Sequence, residues 1–216
     1  MHLNFDATYA WPLLHITDDV LPGKANANDI ADWIDQDIHE YGQQPFRLTM
    51  ITNHDENSWH GTEFERYGDG MKTFATFIFT AYGMPMLYSG QEAGLNKRLK
   101  FFAKDTIDWS DPQQLQPFYR KLVKLHQDHP ALWAGNYGSQ PVRINERDSL
   151  TYAFLRTKGT DEVVGILNFS GNTTNARLTS PCPTGVYRDY FSGERISLAP
   201  GTTIPLKPWQ YLILLK

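Results

Sequence analysis

Apolar positions recur at two different spacings along the chain, and the spacing changes near Gly135. In the first part, Ile30, Trp33, Ile34, Ile38 and Tyr41 recur at intervals of three and four, which places them on one face of a helix. Asn28 is positioned to cap that helix and Gly42 to stop it. Phe46 to Thr52 is a short apolar and β-branched run and predicts a strand. Met71 to Tyr82 is apolar nearly all round, as expected of a helix packed deep in a core, and Gly83 ends it. Met84 to Ser89 predicts a second, buried strand. Asp111-Pro112 predicts the start of a further helix with proline near its first turn. Leu115, Phe118, Tyr119, Leu122 and Leu125 make its inner stripe. The order strand, helix, strand, helix implies parallel strands joined by crossover helices.

After Gly135 the period shortens towards two. Leu150, Tyr152 and Phe154 alternate with Thr151, Ala153 and Leu155, and Val163 to Phe169 is a more continuous apolar strand. Val186 to Tyr190, Arg195 to Leu198 and Trp209 to Leu215 follow. Turn residues cluster at Ser170-Gly171-Asn172, Ser192-Gly193 and Pro200-Gly201. Short strands at this spacing predict an antiparallel sandwich. The stretch WAGNYGSQP, Trp133 to Pro141, has the Gly and Pro of a boundary, so the expected units are 1–134 and 135–216. Charge divides at the same place. Residues 1–134 hold 11 Lys/Arg and 18 Asp/Glu, a net of −7; residues 135–216 hold 9 and 6, a net of +3.

Composition narrows the function classes. Hydrophobic residues make up 41% of 216, enough for a real core. A lone cysteine, Cys182, forms no internal disulfide and marks no oxidising compartment. There is no basic cluster, which argues against nucleic acid as a partner. No apolar run reaches the ~18 residues of a transmembrane helix, so no membrane partner is expected. The opening stretch MHLNFDATYAWPLL lacks the charged start and apolar run of a signal peptide. Its apolar residues begin at once, as in the middle of a domain.

The candidate chemistry lies in ITNHDENSW, residues 51–59. A buried-looking run stops abruptly at Asn53-His54-Asp55. In parallel α/β sheets and barrels, functional residues sit at the carboxyl ends of strands. There Asp55 can accept from two neighbouring hydroxyls, His54 can donate to another, and Trp59 offers a flat apolar face of the kind sugar rings stack on. The competing reading is a capping Asp in a solvated loop, and three residues alone do not decide between them. Trp109 is open to two readings, a sugar-site wall or a cover over the final helix. His15, His39, His60, His126 and His129 show no ligand spacing with Cys or carboxylates, so no metal site is expected.

A second segment, GMPMLYSGQEAGL at 83–95, is more specific. Together MITNHDENSW and GMPMLYSGQE resemble the last two strands of the α-amylase-type barrel, glycoside hydrolase family 13. FDATYAWPLLH (5–15) resembles the segment after that family's acid-bearing strand, and DPQQLQPFYRKLVKLHQDHPAL (111–132) its last helix. The β-rich remainder resembles its C-terminal sandwich domain, so the resemblance covers the whole chain. It implies an α/β plus all-β protein: the last strands and helices of a (β/α)8 barrel, then an antiparallel β-sandwich. It also implies a retaining enzyme acting on α-glucans or maltooligosaccharides. Asp55 maps onto the family's third carboxylate, which favours the oxocarbenium-like ring, and His54 onto its substrate-binding His. Asn53 and Trp59 complete the candidate set. No cofactor is implied. Calcium, which family members often hold through an inserted domain, is not carried over.

The resemblance also shows what this sequence lacks. Retaining glycosidases need two carboxyl groups ~5–5.5 Å apart. The family's Gly-x-Arg-x-Asp nucleophile motif is missing, and so is its earlier Asp-x-x-x-Asn-His segment. Glu56, Glu63, Glu65 and Glu92 match neither nucleophile nor acid, and solvated or helix-end roles are expected of them. A partial barrel leaves an open strand edge. The chain is therefore expected to self-associate or to need the missing strands, and to be inactive alone. The alternative is a non-catalytic module that binds glycan or a partner.

Overall fold

The computed structural model describes residues 6–42 and 46–216; residues 1–5, which open the N-terminal stretch read above, lie outside them. Strands β1 (Ala7–Tyr9), β2 (Phe46–Thr49) and β3 (Met84–Pro85) form a parallel sheet in the order β1-β2-β3. Ala7 pairs with Phe46, and Leu48 with Met84. Helices α1 (Trp11–Val20) and α2 (Ala27–Tyr41) lie between β1 and β2. Helices α3 (Glu63–Tyr67) and α4 (Met71–Thr80) lie between β2 and β3, and α5 (Leu115–Asp128) follows β3. The crossover pattern expected from the apolar spacing is present. The spacing alone singled out neither β1 nor α1.

Three expectations need correction. Helix α2 is capped by Asn26, not Asn28. The Asn26 side chain accepts from Asn28 N at 2.9 Å, while Asp29 accepts from Asn26 N at 2.8 Å. This reciprocal box needs an acid three residues after the cap; Asn26 has one and Asn28 has Ala31. Helix α5 begins at Leu115, not at Asp111. The Asp111 carboxylate reaches forward to accept from Leu115 N (2.6 Å) and Gln116 N (3.0 Å), and Pro117 rather than Pro112 sits in the first turn. The strand expected over 84–89 pairs only at Met84–Pro85 and is half-buried. It is the outer strand of its sheet, and among the described residues nothing pairs with its far edge.

The second part is antiparallel throughout. Six strands run in the order β4 (Val142–Arg143), β5 (Thr151–Lys158), β6 (Asp161–Asn168), β11 (Tyr211–Leu215), β8 (Gly185–Asp189), β9 (Arg195–Leu198). A ribbon of β7 (Thr174–Arg177) and β10 (Thr203–Leu206) covers one face of this sheet, with Ala176, Ile204 and Leu206 packed among Ala153, Val164, Ile166 and Leu214. Alternation along β5 sends Tyr152 and Phe154 to the opposite face. There they join Leu167, Phe169 and the helices in one core.

Helix α4 is the shared element. All its residues but Lys72 are buried. Phe74 and Phe77 pack on Phe169 with ring centres 5.0 and 5.4 Å apart. Thr73 donates its hydroxyl to the Trp209 carbonyl, and a Cβ on Gly70 would lie 2.8 Å from the Trp209 ring. Arg156, wholly buried on β5, donates to Thr80 O (3.2 Å), Trp133 O (2.8 Å) and Ser139 O (2.5 Å). Burial pushes its guanidinium down to about 9, which leaves it charged at neutral pH. It ties the end of α4 to the boundary stretch and to the sheet.

Candidate functional site

The site grows from the carboxyl end of β2. After Thr49 the chain stays buried through Asn53. The Asn53 side chain accepts from Asp55 N (2.9 Å) and Glu56 N (2.8 Å), and its amide points at Met50 Sδ (3.4 Å). As placed, Asn53 turns the chain and does not face solvent. The turn sends the next two side chains outward. His54 and Asp55 are 59% and 41% exposed, with Nε2 and Oδ2 3.6 Å apart.

A π-helical turn, Glu56–His60, follows, closed by Gly61 N donating to Glu56 O at 2.9 Å. Such turns hold one residue more than an α-turn and are frequent at functional sites. This one presents Trp59, 55% exposed. The structure thus brings His54, Asp55 and Trp59 to one surface. It adds two residues that the sequence reading missed. The His54 ring stacks on Phe101 at 5.9 Å, and Trp59 meets Phe101 at 5.3 Å and Phe102 at 6.2 Å. The only sequence signal for them was an apolar doublet inside a polar, non-periodic stretch. Trp109 lies elsewhere, in a separate cleft of about 540 Å³ with Leu87, Glu92, Tyr119 and Val123.

The neighbouring carboxylates are paired within the fold, except Glu63, which is buried with an oxygen that has no hydrogen-bond partner among the described residues. Glu56 is buried, 3.0 Å from His60 Nδ1 and 3.7 Å from Arg66 Nη1. Arg66 also holds Asp18 at 2.5 Å; burial raises the Asp18 carboxyl while Arg66 opposes it. Glu63 is buried too, and burial pushes its carboxyl up to about 7. Glu65 accepts from Thr62 N at 2.8 Å and from Arg98 at 3.0 Å. Glu92 accepts from Gly90 N at 3.0 Å. Among the described residues none of these four side chains bonds to Asp55, and no three His, Cys, Asp or Glu side chains converge as metal ligands. No described helix is long and apolar enough to cross a membrane.

Comparison with known proteins gives this geometry a context. Residues 143–204 match the family model described as alpha amylase, C-terminal all-beta domain. Alpha-amylase 2 of Dictyoglomus thermophilum is 28% identical over 203 residues, 88% of this chain and 34% of its own length. Alpha-amylase MalA of Haloarcula japonica is 32% identical over 152 residues, 68% of this chain and 21% of its own. Among solved structures, a maltogenic α-amylase from Thermotoga neapolitana superposes with a TM-score of 0.82 at 20% identity, covering 98% of this chain and 50% of that one. The protein AmyP, solved in complex with maltose, gives 0.68 at 17% identity, covering 98% and 50%. The chain is similar to α-amylase-family enzymes over nearly its whole length. It spans about a third of the length of the first curated relatives it matches.

Proposed function

We propose that this chain is the C-terminal part of an α-glucan-active retaining glycoside hydrolase. Residues 1–134 supply the last strands and helices of a (β/α)8 catalytic barrel, and residues 135–216 its β-sandwich domain. The observation that carries the reading is the outward-facing His54–Asp55 pair at the carboxyl end of β2, the central parallel strand, with Trp59 beside it. That end of a barrel is where glycan chemistry is done. Asp55 accepts hydroxyls of the bound glucose unit and favours the oxocarbenium-like ring. His54 donates to the same unit and Trp59 stacks on it. Asn53 holds the turn that aims them.

Alone, the chain binds without cleaving. A double displacement needs a nucleophile and an acid about 5–5.5 Å apart. The nearby glutamates are buried or held in ion pairs and caps, which also favours glycan binding as the activity of these residues by themselves. The outer edges of β1 and β3, unpaired among the described residues, fit completion by further strands or by a second copy. The test is incubation with soluble starch, following new reducing ends, with Asp55→Asn as control. No release is expected. Release that disappears in Asp55→Asn would overturn the inactive reading and make the chain a complete catalyst.

A further inference from the structure

We infer that Phe101 and Phe102, with Trp59, form an aromatic platform that binds a glucose ring of an α-glucan beyond the ring held at Asp55. This rests on the reading of His54–Asp55 as a sugar site and extends it to residues outside that motif. Phe102 is 87% exposed, and an aromatic ring left in water at that level marks a contact surface when it belongs to a cluster. The cluster is real. Phe101 and Phe102 lie 4.7 Å apart at 76°, and both reach Trp59. His54 also stacks on Phe101, so the rings run without a break from the candidate sugar site. The apolar face of a pyranose suits such a surface, while its hydroxyls meet the polar groups around it.

The platform is also held in place. The Asn57 amide donates to Lys97 O (3.1 Å), and its oxygen accepts from Leu99 N (2.8 Å). Ser58 donates to Leu99 O at 2.8 Å, and Thr62 donates to Asn96 at 2.8 Å. These bonds fasten the stretch before Phe101 to the π-turn that carries Trp59 and to the cap of α3 that follows it. On the far side, Asp105 accepts from Lys97, from Lys100 N (3.0 Å) and from Thr106 N (2.8 Å). These donors hold its carboxyl down at about 2, so the clamp stays charged at any working pH. A loop ordered before binding loses less freedom on binding, which favours affinity.

Calorimetric titration of the full chain with maltoheptaose and with maltose tests this, using Phe102→Ala, Phe101→Ala and Asp55→Asn. Phe102 is solvent-exposed, so its variant is expected to fold, as circular dichroism will check. The expected result is a roughly tenfold loss of maltoheptaose affinity in Phe102→Ala, at the upper end for one aromatic stacking partner, with a smaller loss for maltose. Unchanged maltoheptaose affinity in both Phe variants, with loss in Asp55→Asn, overturns the platform and keeps the Asp55 reading. Loss in the Phe variants with full affinity in Asp55→Asn keeps the platform and overturns that reading. No binding by the parent chain overturns the platform.

Discussion

The two larger sheets of this molecule bury their residues to different degrees. In the antiparallel sheet, β6 is buried without a break from Val163 to Asn168, because helices cover one face and the β7–β10 ribbon the other. In the parallel sheet, β3 is only half-buried and β2 alternates between half-buried and buried residues. The well-covered sheet carries none of the candidate chemistry. The open sheet carries His54, Asp55 and the turn that displays Trp59. Packing and chemistry are therefore separated in this chain, yet α4 joins them through one core.

The sharpest way to break that comparison is at α4. Phe74 lies 4.7 Å from Tyr67, 5.0 Å from Phe169 and 6.3 Å from Trp209. Phe74→Ala is expected to cost about 3–5 kcal/mol, the usual range for a buried aromatic. Urea unfolding followed by both circular dichroism and tryptophan fluorescence is expected to shift as one transition. Two separated transitions would mean that the sheets are independent.

A second difference concerns pH. Glu63, on α3 in the first part of the chain, is buried with its carboxyl raised from 4.5 to about 7. Between those values the unfolded chain releases a proton that the folded chain keeps, so Glu63 makes stability fall as pH rises through that window. The full effect is about 3 kcal/mol above pH 7 and nothing below pH 4. Asp18 and Asp37, also raised by burial, act with the same sign. Glu63→Gln is expected to match the parent at pH 4 and exceed it at pH 7.5. Equal urea midpoints at both pH values would remove Glu63 from this account.

The smallest effect is expected at the surface tie between the two parts. Arg147 meets Asp32 of α2 at 2.5 and 2.8 Å, with both side chains more than half exposed. Arg147→Ala is expected to lower stability only slightly, and by less in high salt. A larger loss by thermal denaturation would show that surface charge, and not the core around α4, holds the parts together.

The same division governs what was legible in the sequence. The stripes of α2 and α5 and the deep burial of α4 followed from spacing, because burial on one face or all faces writes itself into periodicity. The strands of the large sheet were mostly readable for the same reason. The separate ribbon was not, since β7 buries a single residue and β10 is interrupted by Pro205. The cap of α2 is legible only through Asp29, three residues after Asn26, and not from the asparagines themselves. For the candidate site, His54, Asp55 and Trp59 do come to one surface. The burial of Asn53 was hidden, since its bonds to Asp55 N and Glu56 N are a matter of backbone turn geometry. Phe101 and Phe102 were hidden because Asn57, more than forty residues earlier, positions their loop.

The contact between Thr73 and Trp209 has a consequence for synthesis on the ribosome. The two residues are 136 positions apart, and Trp209 also covers Gly70. A ribosome adding about 5–20 residues per second leaves on the order of ten seconds between them. For that time the start of α4, at Gly70 and Thr73, lacks its Trp209 cover, and until β5 and β6 are made Phe74 and Phe77 lack theirs. Newly made chains therefore pass through a sticky stage that finished chains do not, and a chaperone that shields α4 would act only in that interval.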